Sequence, residues 1–137
     1  MTVLLDSGFL FASLNASEDE HEATIRVLKT IREPIVLPVP AITEVAYLLA
    51  RDVGNEASAD FVASLAATEL TLETPLQEDY SRSAEILRQY ADANLDFVDA
   101  LIAATAERLN INRLLTLDRR DFQLIRPRHC VSFELFP

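Results

Sequence analysis

Residues 95–122 read LDFVDALIAATAERLNINRLLTLDRRDF. The first half, Leu95–Leu109, is strongly apolar and predicts a helix buried inside a domain. It carries an acid, Asp99, in the middle of Phe97-Val98-Asp99-Ala100-Leu101-Ile102. The second half, Arg113–Leu117, is a short apolar run ended by Asp118, which predicts a buried strand. The same alternation recurs upstream. Thr2–Leu5 is an apolar run ended by Asp6, and Ser7–Asn15, with Phe9, Leu10, Phe11 and Leu14, predicts a short helix. Pro34–Pro38 frames a strand around Ile35, Val36 and Leu37. Pro40 then opens a helix carrying Ile42, Val45, Leu48 and Leu49. Leu70–Glu73 alternates like a short strand, and Val131–Phe136 predicts a last, edge-type strand. Short apolar strands between amphipathic helices imply an α/β domain with a mainly parallel sheet, and apolar runs such as Val3-Leu4-Leu5 fit strands covered on both faces. At 137 residues the chain reads as a single domain, 1–137.

Cap signals place the remaining helices. Ser17-Glu18-Asp19-Glu20 reads as a capping box opening a helix with Ile25, Leu28 and Ile31 on one face. Asn55 reads as the cap of a helix with Phe61, Val62 and Leu65. Thr74-Pro75-Leu76-Gln77 reads as a second capping box, starting a helix to about Ala93.

Composition narrows the class. Half the residues are hydrophobic, enough for a core, and 1 Cys with 2 Gly excludes a disulfide scaffold and a collagen-like repeat. No apolar run approaches a membrane span, and MTVLLDSGF lacks the basic start of a signal peptide, so a soluble cytoplasmic protein is expected. The net charge is −10, which argues against general coating of DNA. Residues 1–107 carry 6 basic and 19 acidic side chains, whereas residues 108–137 carry 6 and 3.

In open α/β sheets, function gathers at the carboxyl ends of the strands. Asp6 and Asp118 end strands there, and Glu44 and Asp99 lie early in helices that follow. Each interrupts an apolar stretch. Singly each has an ordinary role as a helix cap, a dipole-complementing acid or a turn residue. Jointly, four carboxylates on one rim need something positive among them, either a divalent cation or Arg119 and Arg120. An all-oxygen donor set with no convergent His or Cys suits Mg²⁺ or Mn²⁺ better than zinc. His21 reads as a helix-surface residue, His129 as strand or loop, and Cys130 as a small buried hydrophobe. Ser7 and Thr116 sit one and two residues from acids, where their hydroxyls can orient a carboxylate or a bound water. Arg119 and Arg120, with Arg108, Arg113, Arg126 and Arg128, form the one basic region next to these acids, and Arg forks match phosphate oxygens.

Asp6-Ser7 after an apolar strand, Thr43-Glu44 early in a helix, Val98-Asp99-Ala100-Leu101-Ile102-Ala103-Ala104, and Thr116-Leu117-Asp118-Arg119-Arg120-Asp121-Phe122 closely resemble the PIN domain. The order, spacing and length resemble the VapC toxins of bacterial toxin–antitoxin pairs, over the whole chain. The resemblance implies an α/β/α sandwich around a mainly parallel sheet and a metal-dependent ribonuclease. It implies a site of Asp6, Glu44, Asp99 and Asp118, with Asp96 as a supporting ligand and Asp121 beside the site or on the surface. It further implies in-line attack by water leaving a 5′-phosphate and a 3′-hydroxyl, with Arg119 and Arg120 in the basic region expected to contact the RNA phosphates. A homodimer and a cognate antitoxin laid across the acidic site follow from the same resemblance. Apolar helix surface around Tyr47, Leu48, Phe61 and Val62 is the expected contact region. The rival readings are a non-catalytic protein-binding module of the same fold and another Mg²⁺-dependent phosphohydrolase. The phosphohydrolases fit poorly: Lys29 is early and on a helix where a receiver domain needs a late Lys, and Asp6-Ser7-Gly8 lacks a second acid two residues on.

Overall fold

A computed structural model describes residues 1–137. Strands β1 (Val3–Leu5), β2 (Ile35–Pro38), β3 (Thr71–Glu73), β4 (Arg113–Leu115) and β5 (Glu134–Phe136) form one sheet in the order β3-β2-β1-β4-β5. Every pairing is parallel. The helices are α1 (Ser7–Leu14), α2 (His21–Thr30), α3 (Val39–Asp52), α4 (Asn55–Ser64), α5 (Gln77–Gln89), α6 (Phe97–Leu109) and α7 (Arg119–Leu124). None is long and apolar enough to cross a membrane.

The strands alternate between two cores, because successive side chains point to opposite faces. Val3, Leu5, Leu37 and Leu115 join Phe9, Phe11, Val45, Leu49 and Phe61 from α1, α3 and α4 on one face. Leu4, Val36 and Leu114 join Ile86, Ala100, Ala103, Ala106 and Phe122 from α5, α6 and α7 on the other. The result is the expected α/β/α sandwich. Parallel strands covered on both faces explain the unbroken apolar runs of β1 and β4. α6 packs most closely against α5, with Ala100, Ala103 and Ala106 fully buried in this second core. Asn110, at φ 56, ends α6, and the Ile111 N–H bonds the Ala106 carbonyl at 2.9 Å, a left-handed terminus that turns the chain straight into β4.

The cap readings need correction. Ser17 does not cap α2, which starts at His21 with no side-chain cap. Asn15 accounts for the delay: its Oδ1 accepts from the Ser17 N–H at 3.1 Å and its carbonyl from the Glu18 N–H at 3.0 Å, so local turns replace the first helical turn. Gly54, at φ 140, occupies the cap position of α4, and Asn55 is its first residue. The second capping box slides as well. Thr74 is not the cap; Leu76 holds that position, and the Asp79 carboxylate accepts from the Leu76 N–H at 2.9 Å. The expected contact region is split: Tyr47 is 63% and Val62 51% exposed, whereas Phe61 is buried under α3 and Leu48 is half-buried. Cys130 is half-buried rather than buried.

Candidate metal centre

The chain order folds the sheet outward from its middle. From β1 the chain adds β2 and β3 on one side, then crosses over to add β4 and β5 on the other. The crevice outside the carboxyl ends of β1 and β4 is therefore the topological switch point, where ligands bind in open α/β sheets. Asp6 follows β1 directly and Thr116–Asp118 follows β4. α6 begins at the same rim, bringing Asp99 in its first turn and Asp96 at its cap position. A cleft of about 450 Å³ is lined by Asp6, Ser7, Gly8, Asp96, Asp99, Leu117 and Asp118.

Hydrogen bonds fix Asp6. Its Oδ1 accepts from the Ser7 N–H at 2.7 Å, and its Oδ2 accepts from the Thr116 hydroxyl at 2.7 Å. The Thr116 Oγ1 in turn accepts from the Asp118 N–H at 2.9 Å, so one hydroxyl couples the ends of β1 and β4. The Ser7 hydroxyl donates to Glu44, which ties the first turn of α1 to α3. Sequence proximity set Ser7 beside Asp6 and Thr116 beside Asp118; in the structure the Ser7 hydroxyl also reaches across to Glu44, and the Thr116 hydroxyl donates across to Asp6 while accepting from the Asp118 N–H. Asp118 has a double duty, since its Oδ1 also accepts from the Asp121 N–H at 3.0 Å and caps α7.

Carboxylate oxygens of Asp99, Asp118 and Asp121 all lie within 4.8 Å of one another. Asp6, Asp99 and Asp121 are buried, Glu44 and Asp118 half-buried, and Asp96 exposed at the cleft mouth. Such crowding away from water raises the cost of ionisation. Burial pushes Asp6 from 3.8 up to about 6, against the pull of the Thr116 and Ser7 hydrogen bonds, with Glu44 and Asp118 adding repulsion. Asp99 is driven far above the carboxylate range, first by burial, then by the charge of Asp6 and by Asp118 and Asp121 at its side. Neutral Asp99 can donate its proton within the cluster; ionised, it needs a cation. A hard divalent cation fits this all-oxygen set.

Asp121 is the site member that the sequence reading placed beside the site or on the surface. The signal for it lay in the spacing Asp118-Arg119-Arg120-Asp121: an acid three residues after a helix cap shares the cap's rim. The basic tail, by contrast, does not form one surface. Arg113 starts β4, at the strand end opposite the cleft, and pairs with Glu33 and Glu134. Arg108, at the far end of α6, donates Nε to Asp79 at 3.0 Å and Nη2 to Glu73 at 3.0 Å. Arg128 pairs with Glu85 at 2.6 Å. Only Arg119 and Arg120, both exposed, flank the acids. Arg119 Nη1 donates to the Pro137 carbonyl at 2.7 Å, and Arg120 bonds Asp121 and the Ala93 carbonyl. His21 Nδ1 pairs with the Ala12 carbonyl at 2.8 Å and His129 Nε2 with the Ile111 carbonyl at 2.6 Å, which gives both imidazoles structural partners away from the acids.

Known proteins resemble this chain in sequence and fold. The chain is 27% identical over 135 residues to ribonuclease VapC26 of Mycobacterium tuberculosis, covering 98% of this chain and all of that one. Its fold matches the crystal structure of Mycobacterium tuberculosis VapC20, a toxin that cleaves the sarcin–ricin loop, with a TM-score of 0.81 and 21% identity over 86% of this chain and 91% of the other. It also matches a chain of a toxin–antitoxin complex from Klebsiella pneumoniae, with a TM-score of 0.67 and 20% identity over 90% of this chain and 92% of that one. Residues 3–126, which include every acid of the cleft, match the PIN domain profile, and the chain belongs to the PIN domain family.

Proposed function

We propose that this chain is a metal-dependent endoribonuclease of the VapC type, hydrolysing RNA phosphodiester bonds at the acidic cleft. The observation that carries the reading is the meeting of Asp99, Asp118 and Asp121 within 4.8 Å at the switch point, beside a buried Asp6. The identity to a named ribonuclease over nearly the full length supports the same reading. Asp6, Glu44, Asp99 and Asp118 would hold Mg²⁺ or Mn²⁺, with Asp96 supporting at the mouth. When bound there, the ion would supply a water of lowered pKa and would neutralise charge on the scissile phosphate. Asp6 is held in one rotamer by Ser7 and Thr116, which limits the reorganisation needed to receive it. Glu44, steadied by the Ser7 hydroxyl, would add its carboxylate to this set from α3. Arg119, exposed next to Asp118, would meet an RNA phosphate at the cleft edge.

The partner expectations go with this reading. A cognate antitoxin covering the cleft, with an Arg against the carboxylates, would match their charge, and a match to a chain from a toxin–antitoxin complex supports it. Exposed Tyr47 on α3 and Val62 on α4 offer apolar surface for a second chain.

The test is cleavage of single-stranded and stem-loop RNA in Mn²⁺, in EDTA and with Asp99→Asn. The proposal expects products with 5′-phosphates from the wild type in Mn²⁺ alone. Cleavage that survives EDTA, or full activity in Asp99→Asn, would contradict it.

A further inference from the structure

Arg120 is committed to two partners within the protein. Its Nη1 donates to Asp121 Oδ1 at 2.6 Å and its Nη2 to the Ala93 carbonyl at 2.6 Å. These contacts lie on the two chain segments that deliver acids to the cleft. Ala93 closes a 3-10 turn and is followed by Asn94 at φ 53, then by Asp96 and the first turn of α6 with Asp99. Asp121 sits in the first turn of α7, after its cap Asp118. Asp121 is 4% exposed, and a carboxylate so buried needs a partner. Arg120 engages one of its oxygens, while the carboxylate also comes within 4.8 Å of Asp99 and Asp118. Asp99, itself 5% exposed, has Asp6, Asp118 and Asp121 as its charged neighbours, so its carboxyl faces other carboxyls.

We infer that Asp121 is a further carboxylate of the metal centre and that Arg120 is its positioning residue, clamping α7 to the loop before α6. The inference rests on the proposed metal centre and gives Arg120 a role other than the RNA contact expected from sequence. A planar guanidinium can reach two acceptors at once with separate N–H groups, which a lysine ammonium on a flexible stem does less well. Its charge lies toward solvent and is screened, so orientation of Asp121 outweighs repulsion of the cation.

Mn²⁺ affinity is measured by calorimetry for wild type, Arg120→Ala, Arg120→Lys, Asp121→Asn and the Arg120→Ala/Asp121→Asn pair, with Asp99→Asn as reference. Melts in EDTA establish that each is folded. RNA KM and its salt dependence are measured at saturating Mn²⁺. Arg120→Ala and Asp121→Asn are expected to raise the Mn²⁺ Kd by roughly tenfold, as loss of a ligand-orienting partner does. The pair is expected to be no weaker than Asp121→Asn alone, Arg120→Lys to recover part of the loss, and the RNA KM of Arg120→Ala to keep its salt slope. Unchanged or tighter Mn²⁺ binding in Arg120→Ala overturns the inference. With a shallower salt slope that result assigns Arg120 to RNA, and with only a lower melting point it assigns Arg120 to the fold. A wild type that binds no Mn²⁺, or an Asp99→Asn that binds it equally, refutes the metal centre itself. That outcome is read from different samples.

Discussion

Asp99 is the residue on which the site turns, because it is buried with Asp6, Asp118 and Asp121 as its charged neighbours. Replacing it with Asn keeps the shape and removes the charge. Asp99→Asn is expected to lose RNA cleavage by at least about a hundredfold, a size typical of losing one electrostatic contributor to a transition state. Its melting point in EDTA is expected to equal or exceed that of the wild type, since repulsion with Asp6 is relieved. A variant that is inactive and also strongly destabilised in EDTA would instead make Asp99 a structural acid. The same crowding sets a pH dependence with a definite sign. Asp6 and Asp99 bind protons more tightly folded than unfolded, so in EDTA their contribution to stability is full below about 4 and is lost as pH rises through about 6 and beyond. Melts in EDTA from pH 5 to pH 8 should show the wild type losing more stability than Asp99→Asn. Parallel curves would contradict the assigned shifts.

At the scale of elements, the sheet and helices were legible because their signals are local. Val3-Leu4-Leu5 and Leu114-Leu115 are continuous apolar runs, and the parallel sheet buries them on both sides. The helix starts were less legible. Ser17 and Thr74 satisfy the capping-box spacing, but the turn made by Asn15 and the Asp79 carboxylate at Leu76 win the local competition. Asp6, Asp99 and Asp118 line one cleft, since each follows a strand or lies in the first turn of a helix at the same end of the sheet, while Glu44, in the second turn of α3, is joined to them through the Ser7 hydroxyl. Asp121 was harder to place because its burial depends on Arg120 and on contact between α6 and α7, which no local pattern encodes. The Arg-rich tail misled because charge was counted along the chain, whereas Arg108 and Arg113 lie at the opposite ends of their elements. The junction of β1 and β4 can be probed through Thr116, fully buried between Asp6 and Asp118. Thr116→Val is expected to destabilise by about 1–3 kcal/mol at pH 8 by leaving polar groups without partners, and by less at pH 5, where Asp6 holds a proton. Urea denaturation at both pH values checks this; an equal loss at both would place the effect in packing alone.

On the scale of the whole molecule, the fold puts nearly all its unusual chemistry at one rim and leaves apolar surface on α3 and α4. A dimer through that surface would sediment at twice 15.3 kDa at micromolar concentration, and Tyr47→Glu would shift it towards monomer. A monomeric wild type would count against this part of the proposal. The central claim, that the acids of the switch point form a cation site, has a more direct test that needs no RNA. A metal that binds only the folded state stabilises it by about 2.7 kcal/mol at a hundredfold excess over its Kd, which for a domain of this size is a shift of several degrees. The measurement is a thermal melt of wild type, Asp6→Asn and Asp99→Asn in EDTA and in Mn²⁺. The account predicts a rise in the wild-type midpoint with Mn²⁺ and little or none in either variant. A wild type indifferent to Mn²⁺, or three proteins that respond alike, would contradict it.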